Sequence, residues 1–329
     1  MPSHPAATVV VVSRDRWSLA ARTLDHLLAN TDPRHPVVVV EAQAPRRIAA
    51  RFAQLEAMGR IRVARRARHL SGNESRNIGA DGARTEWVAF VENDSLMSAG
   101  WLERLLEVGE ANDAGSAYPA YLTDGPHGSI VHGVGADLQL DGPEGALILR
   151  EILHDLERSW FDLAHDICPM ARVQSEPHAL VIRRSMLDEM GGLDESLWSW
   201  FDHVDLGLHH RRLGASAWLV PDVTCTYLQP PPVAVTDLPW FLLRWSREWF
   251  TRSLDHLCAT WGLDRDDPEW NNHEHYRTTV RRRSLSPIAR MGSLVDRAIM
   301  PAEQFEVWRD DRVRAREAAP GTKHAVDAG

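Results

Sequence analysis

Lysine is almost missing from this 329-residue chain: of its 37 lysines and arginines, only Lys323 is a lysine. The bias is that of a GC-rich coding sequence, and it means that any cation meeting a phosphate here is an arginine. Cysteine is scarce too. Cys168, Cys225 and Cys258 are far apart, form no CxxC pair and have no zinc spacing. That excludes a disulfide framework and a structural zinc site, and it predicts a reduced, cytoplasmic protein. No apolar run approaches the roughly 18 residues that span a bilayer, and residues 1–8 lack a basic region followed by an apolar core. Membrane contact is therefore expected to be peripheral at most. A formal charge of −9 and a pI near 6.0 exclude general nucleic-acid binding, which needs a net basic surface. The Gly-x-Gly-x-x-Gly fingerprint of dinucleotide folds is absent as well.

What is present is an ordinary globular composition, 44% hydrophobic and 25% charged, long enough for one large domain and an appendage. Its organising stretch is Trp87-Val-Ala-Phe-Val-Glu-Asn-Asp94, an apolar run that ends in two acids. Such a run suits a strand buried on both faces of a parallel sheet. Glu92 and Asp94 then lie at its carboxyl end, where open α/β sheets gather ligands and where a phosphate-bound divalent cation is held. The competing reading is a turn over Asn93, Asp94 and Ser95 that caps the next helix.

Earlier in the chain, residues 8–13 and 36–41 read as two further buried strands, with an amphipathic helix between them carrying Leu19, Ala20, Leu24, Leu27 and Leu28. Residues 44–60 are basic and amphipathic, and 61–63 make a third short strand. Ser71 or Asn73 caps a helix that places Arg76 and Asn77 in its first turns beside the crevice. Beyond Asp94, Ser98 is the expected cap of a helix to about residue 108, and 114–121 returns to the sheet. Residues 123–176, with an amphipathic piece at 150–161, read as an insertion over the active-site face. A strand at 178–183 and a helix starting at Ser185 and closed by Gly191 follow. A Trp-rich loop then leads to a helix from Asp202 to Leu213 stopped by Gly214, and to a last strand at 217–221. A linker at 229–232 precedes an aromatic-rich helix at 239–261, more helix at 277–305, and a disordered tail at 319–329.

In order and spacing these pieces resemble the family 2 glycosyltransferases of the GT-A fold, over roughly residues 7–230. The landmarks are the strand ending at Ser13, the strand ending at Glu41, Arg76-Asn77, Val88-Ala-Phe-Val-Glu-Asn-Asp94 with Gly100-Trp-Leu, Arg183-Arg-Ser185, Gly191-Gly-Leu-Asp-Glu195, Asp202-x-x-Asp205 and Val220-Pro-Asp222. The resemblance implies an α/β, Rossmann-like, mostly parallel sheet; the helical extension at 231–318 is read from the residues beyond the linker. The resemblance also implies transfer of a sugar from a nucleotide-diphosphate sugar, with inversion, to a hydroxyl-bearing acceptor. Carried over by position, Ser13 and Glu41 line the nucleotide pocket and Arg76 and Asn77 lie near the diphosphate. Glu92 and Asp94 stand for the Asp-x-Asp motif that holds Mn²⁺ or Mg²⁺, the first near the ribose and the second on the metal.

Three departures accompany the match. Where the family has an acidic pair, this chain has Asp202-His203. Asp202 is the expected base with His203 as its rival, and Asp205, three residues on, shares its face. Tyr227 holds the slot of a metal-binding histidine, so the metal rests on Asp94 alone or borrows His273 or His275. Glu92 is one methylene longer than the usual aspartate. The alternative function is a degenerate relative that binds a nucleotide or partner without turnover. A nucleotidyltransferase ranks below both, because no Gly-rich loop follows Ser13.

Overall fold

The computed structural model describes residues 7–125, 128–228, 233–285 and 293–318. β1 (Ala7–Val12) is almost wholly β-branched and buried on both faces. It pairs in parallel with both β2 (Val37–Ala42) and β4 (Trp87–Glu92), and β3 (Arg62–Arg66) extends the sheet beyond β2. The connections are helices, α1 (Trp17–Ala29), α2 (Arg46–Ala57) and α3 (Gly72–Ala80), as parallel pairing requires. α3 presses hard on β1. A Cβ built on Gly79 would stand 2.1 Å from Val10 Cγ1, so no larger residue fits this contact.

After β4 come β5 (Ser95–Met97), α4 (Trp101–Ala111), β6 (Ser116–Gly125), β7 (Gly128–Gly133), β8 (Ala136–Asp141), β9 (Ile148–Leu153), α5 (Trp160–Leu163) and β10 (Met170–Arg172). β11 (Ala179–Arg183), α6 (Arg184–Met190), α7 (Asp202–Leu213) and β12 (Ala217–Tyr227) complete the sheet region. Among the described residues the main sheet runs β10-β12-β6-β11-β4-β1-β2-β3, with β5 on β12 and β7 on β6. β11 is antiparallel to both its neighbours. The core is therefore mostly parallel, with an antiparallel strand set into it.

The C-terminal helices are α8 (Leu238–Arg244), α9 (Arg247–Trp261), α10 (Trp270–Ser284) and α11 (Ser293–Glu317). Among the described residues no helix is long and apolar enough to cross a membrane.

Several local expectations change. Ser98 caps no helix: α4 starts after Gly100, whose φ of 70° is left-handed, while the Ser98 hydroxyl accepts from the Thr224 amide at 3.1 Å. The amphipathic piece at 150–161 divides into the end of β9 and the short α5. β9 pairs with β8 through Ala136–Leu153 and Asp137–Ile152, and this pairing takes up backbone groups that a helix would have used internally. The α6 start has no side-chain cap. The stretch 239–261 is two helices, because Ser246 accepts from the Trp249 amide and begins a new one. The linker at 229–232 and the tail at 319–329 lie outside the described residues.

Candidate active site

The order β2-β1-β4 makes the carboxyl ends of β1 and β4 the switch point at which such sheets bind ligands. Two loops meet there, Ser13 to Arg16 and Asn93 to Asp94, and α3 starts beside them. A reciprocal capping box fixes that start: Ser71 Oγ accepts from the Glu74 amide at 3.1 Å, and Glu74 accepts from the Ser71 amide at 2.7 Å. Arg76, 1% exposed, is thereby aimed inward. Its Nη1 donates to Asp202 Oδ2 at 2.8 Å and its Nη2 to Glu92 Oε1 at 3.0 Å. One guanidinium thus joins Glu92 and Asp202, two of the acids that the sequence singled out, in a strong charge-assisted link.

Glu92 is held by more than Arg76. Arg14 Nε lies 3.3 Å from Oε1, and His178 Nδ1 donates to Oε2 at 2.8 Å. Burial opposes its ionisation, but Arg14, His178 and Arg76 outweigh that and hold its pKa down to about 2. With both oxygens engaged, Glu92 is a structural hub and not a free metal ligand. In this structure Glu92 is thus engaged by side chains, where the resemblance implied a place on the metal motif.

Asp94 is the opposite case. It is 0% exposed, and neither carboxylate oxygen has a hydrogen-bond partner. Burial, with the charges of Glu92 and Asp15 nearby, pushes its pKa up to about 6. An orphaned buried carboxylate at this position fits a hard cation. Among the described residues no group of three or more His, Cys, Asp or Glu side chains gathers for a metal, so a cation held by Asp94 would draw most of its ligands from the diphosphate and water. Tyr227 does not compensate. Its ring stacks on His178 at 4.3 Å, and its buried phenol is held well above its ordinary pKa.

Asp202 opens α7. Burial works against its charge, but His203, Arg76 and Arg14 hold its pKa well below the usual range. The preceding residue, Phe201, has a left-handed φ of 70°, which a non-glycine residue adopts at an expense of about 1–3 kcal/mol. Packing against Phe250 and Trp270 fixes it there. Asp205 does not join Asp202. It accepts from Trp261 Nε1 at 2.8 Å and faces His209, 3.6 Å away. Burial raises its pKa to about 6 despite the Trp261 bond.

The remaining predicted residues divide similarly. Ser13 is buried at the end of β1 and donates to the Val40 carbonyl, while Glu41 accepts from the Ala44 amide at 2.7 Å. Asn77 turns away from the crevice and ties α3 to the 193–195 loop through Leu193 and Glu195. Those bonds engage its amide on the loop, where the resemblance implied a place near the diphosphate. His275 is exposed, and His273 lies 3.3 Å from Glu151, so neither supplies the missing metal ligand. The Trp-rich loop is half-buried: Trp198 packs on Trp249, and Trp200 on Trp245 and Phe250.

Four important groups escaped the sequence reading: Arg14, Asp15, His178 and Arg244. Arg244 on α8 ion-pairs with buried Asp15, and Trp245 Nε1 donates to the same carboxylate at 3.1 Å. Trp240 stacks on His69 at 5.4 Å and leans on Trp17, and Arg16 lies over Phe241. α8 therefore lies across the carboxyl ends of β1 and β3. The cavity beside Arg76 and Asp202 measures about 10 Å³, room for a single water.

Residues 8–157 match the family described as Glycosyl transferase family 2. Over 284 residues the chain is 24% identical to the uncharacterized protein y4gI of Sinorhizobium fredii (strain NBRC 101917 / NGR234), covering 82% of this chain and 29% of that protein. It thus spans less than a third of that relative. Among solved structures it is similar to GalNAc-T7, crystallised with UDP, GalNAc and Mn²⁺, at a TM-score of 0.55 and 14% identity, over 90% of this chain and 58% of that one. At that identity the likeness establishes the fold, which is GT-A-like.

Proposed function

We propose that this chain, which carries a glycosyl transferase family 2 domain over residues 8–157, moves a sugar from a nucleotide-diphosphate donor to a hydroxyl-bearing acceptor with inversion. The observation that carries the reading is the pairing of an unpartnered, buried Asp94 with an ionised Asp202 at one switch point, the latter joined to Glu92 through Arg76. Asp94 would hold a divalent cation, Mn²⁺ or Mg²⁺, which when bound offsets charge on the leaving diphosphate. Asp202, kept as a carboxylate, accepts the acceptor's proton as the hydroxyl attacks the anomeric carbon. His203, held charged, is the weaker candidate for that step. Ser13 and Glu41 border the nucleotide side. Arg76 serves the reaction by fixing Asp202, and Asp205 serves it by anchoring α7 to Trp261.

A second reading, nucleotide or partner binding without turnover, draws on the sealing of Asp94 and the loss of Glu92 as a metal ligand. Calorimetric titration of a nucleotide-diphosphate-sugar panel with and without Mn²⁺, followed by a donor hydrolysis assay, separates the two. Manganese-dependent binding with slow hydrolysis is expected. Binding indifferent to metal, with no diphosphate released, would leave the second reading.

A further inference from the structure

The inserted hairpin of β8 and β9 sends one carboxylate inward. Glu151 on β9 accepts from Gln174 Nε2 at 2.7 Å through Oε2, which also lies 3.5 Å from His203 Nε2. The other nitrogen of that ring, Nδ1, stands 3.7 Å from Asp202 Oδ1, and Asp202 also takes the His203 amide at 3.2 Å. An imidazole set between two carboxylates can serve both only if both of its nitrogens carry protons, since a neutral ring has one donor. The titratable groups facing His203 are Asp202 on its own helix, Glu151 on β9, Glu176 before β11 and His273 on α10, the last 3.3 Å from Glu151 Oε1.

We propose that Glu151 is a positioning residue for the base: acting through His203, it holds the Asp202 carboxylate in place for removal of the acceptor's proton. The inference rests on the transferase reading. As the acceptor oxygen bonds to the anomeric carbon, its proton passes to Asp202, and the bond from that carbon to the diphosphate breaks with its electron pair leaving on the diphosphate. His203 takes no proton in this step because it already carries both. Its charge keeps Asp202 ionised, and Glu151 keeps that charge on His203. The balance of charges agrees: burial works against protonation of His203, but Glu176, Asp202 and Glu151 outweigh it and hold its pKa well above the ordinary value. The His273 pKa, by contrast, is pushed down by burial.

The test is an NMR titration of the His203 imidazole in the full chain, without donor, for wild type, Glu151→Gln and Glu151→Asp. Loss of the carboxylate is expected to lower the His203 pKa by about one unit or more in Glu151→Gln, with a smaller fall in Glu151→Asp. With a competent donor, Glu151→Gln is expected to lose roughly 10-fold in kcat at unchanged KM for the donor, and Glu151→Asp to recover part of it. A His203 titration that stays put in both variants overturns the proposal, as does a loss confined to KM. Since the titration needs no donor, a chain that turns over no sugar nucleotide would sink the transferase reading while still reporting whether Glu151 charges His203.

Discussion

A carboxylate sealed from water and without a partner is stable only if it keeps its proton or gains a cation. Asp94 is such a group, with a pKa of about 6 in the fold against 3.8 unperturbed. A raised folded value gives a contribution that is full below the unfolded pKa and lost as pH rises through the folded one. Asp94→Asn should therefore be more stable than wild type at neutral pH by roughly 3 kcal/mol at most, with the gap closing near pH 4. Mn²⁺ should raise the melting temperature of wild type alone. Equal stability across this range, or a manganese response in the variant, would contradict the assignment. For Asp202, Asn removes the proton acceptor, and transfer should fall roughly 10²- to 10⁴-fold while donor affinity changes little. Equal loss from His203→Ala, with Asp202→Asn near wild type, would move the base by one residue. At this scale the sequence made the acids legible, because Glu92 and Asp94 end an apolar run. It could not reveal the partners of Glu92: Arg14 and His178 matter through contacts made across 86 residues in the case of His178, and no spacing encodes those.

The strands were readable because β1, β2 and β4 are continuous β-branched or aromatic runs buried on both faces. The β8–β9 hairpin was not: Ala136–Asp141 alternates apolar and polar over only six residues, and its partner Ile148–Leu153 has no clean period, so the pairing decides the outcome. The break at Ser246 was likewise hidden, as a single capping serine divided one aromatic stretch into two helices. Between these cases lies α3, whose start was legible as a cap at Ser71 or Asn73, while the capping box that selects Ser71 and the helix's depth against the sheet were not. Its closeness to β1 gives a prediction at the level of the element. Gly79→Ala sets a methyl 2.1 Å from Val10 Cγ1, so α3 must shift. A loss of about 1–3 kcal/mol is expected, read as a lower urea midpoint. Because Arg76 rides on the same helix, transfer should fall further than stability alone explains. A variant with wild-type midpoint would show that the contact relaxes freely.

At the scale of the molecule, the C-terminal helices and the crevice compete for the same ground. α8 covers the ends of β1 and β3 through Trp240, Arg244 and Trp245, and α11 adds an ion pair from Arg314 to Glu74 at the α3 cap. On the proposed function, a donor reaches Asp94 only after α8 lifts. A binding site open for only a fraction of the time weakens apparent affinity by that fraction. Just before α8, Asp237 accepts from the amide of Ser18 at 3.0 Å and also from its hydroxyl, outside the acids of the site. Ser18→Ala removes the hydroxyl bond and leaves the amide one. With a single part-buried bond worth at most about 1 kcal/mol, the open fraction should rise and the Kd for nucleotide-diphosphate sugars should fall by up to about 5-fold, without a change in the chemistry at Asp202. Calorimetry on the folded variant reads this directly. A tighter Kd with unchanged enthalpy of metal binding would mark α8 as the barrier to entry. An unchanged or weaker one would mean that the donor approaches along a route α8 does not guard.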